Sequence, residues 1–173
     1  MSHNHATLLG VSRLLVGILR VLNLVMGGLL IAMFLASFIF EPLFQEFFSK
    51  RPPRIDPGML LPALRVWMLL AMPMIAAVHI LYSRLLEVIE TVRVGDPFVP
   101  ENAARLRTMA WCLLTVELLR LSFGVMAAIM NAAGSNIDWS FSVNGWVAVV
   151  VVFVLARVFE EGTRIRADLE AMI

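Results

Sequence analysis

The sequence predicts an all-α membrane protein. It should have four transmembrane helices, both termini cytoplasmic, and helical cytoplasmic extensions of spans two, three and four. Three observations lead there. Of the 173 residues, 60% are apolar and only 16% are charged, against about 45–50% and roughly 25% in soluble domains. The mean hydropathy is +0.86. Four apolar stretches approach the roughly 20 residues that a helix needs to cross the hydrocarbon core. This composition excludes a disordered chain, a collagen-like or disulfide-rich scaffold, and most soluble enzymes.

Residues 21–40 carry no charge at all. Residues 66–83 are interrupted only by Pro73 and His79, and residues 108–130 only by Glu117 and Arg120. Residues 141–156 are apolar around a run of valines at 149–152. The expected spans are therefore about 14–40, 61–83, 108–131 and 141–159, within a single domain covering 1–173. The first is too long for the apolar core of a cleaved signal peptide and is expected to remain as an anchor.

Orientation follows from the basic flanks. One side carries Arg13, Arg20, Arg84, Arg93, Arg105, Arg107, Arg157, Arg164 and Arg166; the other carries Lys50, Arg51, Arg54 and Arg65. Nine against four places both termini in the cytoplasm. Trp67, Trp139 and Trp146 fit the outer interface, and Tyr82 and Trp111 the inner one.

The 41–60 connector is punctuated by Pro42, Pro52, Pro53 and Pro57. Arg51-Pro52-Pro53-Arg54 and Asp56-Pro57-Gly58 read as an extended segment followed by a turn, and Phe44, Phe47 and Phe48 are available to dip into the interface. The inner loop is more ordered. Its first part, 84–94, continues span two as a helix. Gly95 is placed to stop that helix in a left-handed cap, with Pro97 beyond it. Pro100 and Glu101 then suit the first turn of the next helix. Spans two and three thus make a hairpin that projects past the membrane. The tail, 157–173, extends span four, with Glu160–Arg164 and Arg164–Asp168 as i,i+4 pairs. Val158, Gly162, Ile165, Leu169 and Met172 recur at helical spacing. That stripe is expected to cover the apolar side of 84–93.

A net charge of +1, from 14 basic and 13 acidic residues, argues against direct nucleic-acid binding. The single cysteine, Cys112, excludes an internal disulfide and reads as a buried, inert thiol. Met68, Met72 and Met74 near His79 read as core filling. His3 and His5 read as part of a frayed polar terminus. No nucleotide loop, zinc-protease motif or serine–histidine–acid arrangement is present, and no cofactor is expected.

Charges inside the bilayer are costly unless paired. Arg20, His79, Glu117 and Arg120 form the candidate intramembrane cluster. One reading is a salt bridge that fixes packing, Glu117 with Arg120 at i,i+3 or with Arg20 across helices. The other is a small proton- or ion-coupled transporter using Glu117, Arg120 and His79. Gly28, Ala32 and Ala36 in span one and Gly124, Ala128 and Ala132 in span three are small-residue series suited to close helix contact. Packing of the two series would bring Arg20 towards Glu117.

The segment Gly95-Asp96-Pro97-Phe98-Val99-Pro100-Glu101-Asn102-Ala103-Ala104-Arg105-Leu106-Arg107, with Trp111 after it, and the tail from Val158 to Glu170 resemble a bacterial membrane family called domain of unknown function 2975. The resemblance covers most of the chain, including the four-span layout. Ala171-Met172-Ile173 depart from the Gly-Thr-hydrophobic ending of related tails. The resemblance implies a bacterial inner-membrane protein. Members are often encoded beside a small helix-turn-helix transcription regulator, which implies a membrane partner that holds or modulates such a regulator. On the residues themselves, the expected docking surface comprises Gly95, Asp96, Pro97, Phe98, Asn102, Arg105 and Arg107 of the tip. Gly162, Arg164, Ile165, Arg166, Asp168 and Leu169 of the tail complete it. The expected protein is non-catalytic, embedded in the lipid bilayer, and acts through protein contact at its cytoplasmic face, with a homo-oligomer left open.

Overall fold

The structure is a computed structural model. It describes the backbone of residues 2–49, 57–132 and 136–171, and the side chains within these ranges other than those of 2–8, 48, 49, 57 and 170. The described residues form helices in the order α1 (Ser2–Ile39), α2 (Glu41–Ser49), α3 (Pro57–Val94), α4 (Pro100–Ala132) and α5 (Val143–Glu170), and no strand. Four of them, α1, α3, α4 and α5, are long and apolar enough to cross a membrane.

The boundaries follow from local chemistry. Pro57 and Pro100 open α3 and α4, where a missing backbone N–H costs nothing. At the end of α3, Gly95 has a φ of 94°. Its N–H donates to the Val92 carbonyl at 3.1 Å, and that of Asp96 to the Thr91 carbonyl at 3.2 Å. This pair of bonds is the Schellman arrangement, and it satisfies carbonyls that the helix end would otherwise orphan. The α3–α4 hairpin is thus as the sequence predicts.

The long helices lie in an open row, α1 against α3, α3 against α4, and α4 against α5. Among the described residues, no backbone of α1 comes near α4 or α5, and none of α3 near α5. The best-buried apolar cluster is Leu106 and Met109 of α4 with Ala156 of α5, flanked by Leu81, Leu85, Val152 and Phe159. It lies towards the hairpin tip.

The opposite, loop end of the row is tied by Arg65 of α3. Its guanidinium donates to the carbonyl of Ser37 in the last turn of α1 and, at 2.9 Å, to Glu41 at the start of α2. It also lies 4.0 Å above the Phe38 ring. A cation on the last carbonyls of α1 complements the negative end of that helix.

Several expectations are corrected. Residues 41–49, expected only as connector, form α2, with Pro42 in its first turn, and Pro57 and Gly58, expected in a turn, open α3. The Arg51-Pro52-Pro53-Arg54 segment lies outside the described residues. The N-terminus is helical from Ser2, with the side chains of His3 and His5 outside the description. The fourth helix starts two residues late, at Val143, after an irregular run over 136–142. Trp146 is next to Gly145, which faces Glu117, so it sits well down the row rather than at its loop end. Spans one and three do not pack together, so their small-residue series do not meet.

Candidate functional site

The hairpin tip is built around Asn102. A side-chain amide needs several partners when taken out of water, and Asn102, with 0% exposure, has them. Its Nδ2 donates to the Pro97 carbonyl at 2.9 Å and to Thr91 Oγ1 at 2.7 Å. Its Oδ1 accepts from Arg105 at 2.9 Å. One side chain thereby joins the end of α3, the turn and the start of α4. Arg105 also pairs with Glu87 at 2.9 Å, and Arg84 reaches the same carboxylate at 2.9 Å. The hydrogen bond from Arg84, with help from Arg105, holds the Glu87 carboxyl below its ordinary pKa. Asn102 therefore belongs to the interior of the hairpin, and the half-buried Arg105 is engaged by Asn102 and Glu87.

The tip is fastened to the tail. The Phe98 ring lies 5.3 Å from that of Phe159, and Gly162 leaves the space into which Phe98 fits. Asp96 pairs with Arg166. Arg107 pairs at 2.9 Å with Glu160, which Arg157 also reaches at 3.0 Å. Arg164 pairs with Glu161 at 3.1 Å. The i,i+4 pairs expected from the sequence are thus replaced by i,i+3 pairs and by contacts across helices.

The tail stripe does not cover 84–93. Beyond Gly162 it is open: Ile165 is 52% exposed and Leu169 55%. The physical reason is placement, since α5 packs on α4 and not on α3. Asp168 is exposed on the same tail.

Of the intramembrane charges, the structure brings together two. Glu117 is buried, and Arg120 donates to it at 3.3 Å. The carboxylate sits against Gly145 in the first turn of α5, where a side chain would run into it. A carboxylate there complements the positive end of the helix. Glu117 lies ten residues from Arg107, or about 15 Å along the axis, half the thickness of a hydrocarbon core. Arg20 and His79 do not join this pair. Arg20 is on α1, two helices away, and has no ion-pair partner among the described residues. His79 follows Ile75 by one turn, and Ile75 faces Gly27 of α1, so His79 shares the α1-facing stripe. The expected four-membered cluster is therefore a pair.

The small-residue series do other work than expected. A Cβ on Gly28 would meet nothing within 4 Å, and Ala32, Ala128 and Ala132 are exposed. The α1–α3 contact instead uses Gly27, against Ile75, and Asn23, which donates to the Ile75 carbonyl at 3.0 Å. Gly124 is filled by the Trp139 ring, which folds back on it from the 136–142 segment. Gly145, Trp139, Thr91, Phe159 and Arg65 were not singled out from the sequence as site or packing residues. Only Arg65 carried a usable signal, as a charge among apolar residues at a span end. Cys112 is buried, as the sequence suggests. Among the described residues, no three His, Cys, Asp or Glu side chains come together in a group that would hold a metal ion.

A family model described as a protein of unknown function, DUF2975, matches residues 19–173. No curated protein and no solved structure matches the chain.

Proposed function

We propose, from the premise that this chain belongs to the DUF2975 family, that it is a membrane-anchored docking protein without catalysis of its own, working through its α5 tail. That it is a multi-pass membrane protein follows from the four apolar helices. The finer reading is carried by one observation, the uncovered pair Ile165 and Leu169. They stand one turn apart on a helix whose other residues from 157 to 168 include three basic and three acidic side chains. Such a charge density belongs in water, not in hydrocarbon. Two neighbouring apolar side chains held in water each gain about 1.5–3 kcal/mol on burial. The rim of Arg164, Arg166 and Asp168 is mixed in sign, which suits a protein surface better than a polyanion.

The proposed side is the cytoplasm of a bacterial inner membrane, by the basic flanks. The proposed partner is a small helix-turn-helix regulator, as the family resemblance implies. The tip plays a supporting part, because Phe98, Asp96 and Arg107 hold the tail at its angle.

The test is binding of such a regulator, purified, to the detergent-solubilised chain. Leu169→Asp should weaken binding at least tenfold and leave thermal stability unchanged, because Leu169 is uncovered. Phe98→Ala should weaken it less, by loosening the tail. Equal binding by wild type and Leu169→Asp refutes the reading. Reporter fusions after Ile173 and within 95–100 should both report cytoplasm, and an outside signal from either overturns the sidedness.

A further inference from the structure

The α1 edge of the row carries a groove of its own, away from the hairpin tip's contacts with the tail. The groove, of about 830 Å³, runs along α1 from Gly10 to Val25, with Arg13 and Arg93 at its tip end. Gly10, Gly17, Val21 and Val25 recur at helical spacing on one face. A Cβ on Gly10 or Gly17 would meet nothing within 4 Å. The two guanidiniums share a single carboxylate, Glu90, at 3.4 and 3.7 Å. One positive charge is thus left over.

We propose that this groove holds an anionic phospholipid, with its phosphate on Arg13 and Arg93 and one acyl chain along the glycine face. Charge and its placement argue for that occupant. A basic pocket beside apolar helix surface is the expected form of a lipid headgroup site. Among the residues that line the groove only Arg13 and Arg93, at one end, are charged, and from Gly17 to Val25 the lining is glycine, isoleucine, valine and leucine. Charge at one end and apolar surface along the rest match a headgroup and an acyl chain. A free phosphate would use the arginines and not the glycine face. A second copy of the chain would have to bring an acid to Arg13 and Arg93.

The test uses the full chain in a neutral detergent, with phosphatidylglycerol, phosphatidylcholine or inorganic phosphate added. Lipid retention is read by native mass spectrometry and stability by the thermal midpoint. Phosphatidylglycerol should be retained and should raise the midpoint; the other two should do neither. Arg13→Gln with Arg93→Gln should weaken retention by about tenfold to thirtyfold, as expected for two basic residues near a headgroup. Gly17→Leu fills open space, so it should leave the basal midpoint unchanged and still reduce phosphatidylglycerol retention. Equal retention of both lipids, a midpoint rise with inorganic phosphate alone, or full retention by Gly17→Leu would each overturn the proposal. So would a change in particle mass with Gly17→Leu, which would make the groove a contact between copies.

Discussion

The two edges of the helix row hold their end helices in different ways. At one edge α1 leans on α3, and none of its apolar window is buried. Gly10, Gly17 and Gly28 there face open space. At the other edge α5 leans on α4, and the glycines of that contact are occupied. Gly124 takes the Trp139 ring and Gly145 takes the Glu117 carboxylate. At the α1 edge only Gly27, against Ile75, is a seat, whereas Gly124 and Gly145 at the other edge are both filled. Glycine in an apolar helix identifies a close approach only when something large or charged arrives to fill it.

Substitution at the two kinds of glycine should break the symmetry most strongly. Gly145→Leu forces a side chain into a buried carboxylate, and should cost about 3 kcal/mol, at the upper end of overpacking effects. Gly28→Leu should stay within about 0.5 kcal/mol, as surface changes usually do. Unfolding in a detergent titration reads both. Equal losses would show that the α1 edge is packed after all.

The charged part of the α5 seat comes next in size. Glu117→Gln leaves Arg120 without its carboxylate and removes the anion from the start of α5, at a cost of about 1–3 kcal/mol. Adding Arg120→Leu should recover part of the loss, because the uncompensated charge goes with it. A stable single variant that loses an ion flux across vesicles would instead favour transport.

The smallest effect is expected at the tip and is read by pH. Glu87 has its pKa lowered in the folded state by Arg84 and Arg105. Its contribution is fully present above the ordinary glutamate range, and is lost as pH falls through the lowered value. The protection of the amides at 91–102, taken relative to the unstructured exchange rate at each pH, should therefore be steady from neutral to mildly acid pH and fall only below the ordinary range. Glu87→Gln should remove that acid dependence. An unchanged profile in the variant would assign it to another group.

Much of the architecture was legible in the sequence because the signals were local. Long apolar runs, the Gly95 cap and Pro100 each report on their own few residues. The order of packing was not legible. Gly28 and Gly124 carry similar spacing, but which neighbour each one faces depends on helices far away in sequence. Trp139 shows the difficulty well, since its indole occupies Gly124 only because the 136–142 segment turns back along α4. Asn102 was visible as part of a motif, yet its burial followed only once Thr91 and Pro97 were seen beside it. The tail stripe is expected to cover 84–93, but α5 packs on α4, and Ile165 and Leu169 stay open.

The row has a consequence for how the chain is made. Each long helix packs on the long helix before it and the long helix after it, with only the short α2 intervening between α1 and α3. Neighbours in space are therefore neighbours in order of synthesis. Contacts such as Asn23 with Ile75 and Arg107 with Glu160 span more than fifty residues, yet each joins consecutive long helices. No span has to wait in the bilayer for a distant one to arrive. The four can be laid down one beside the next, as each leaves the ribosome.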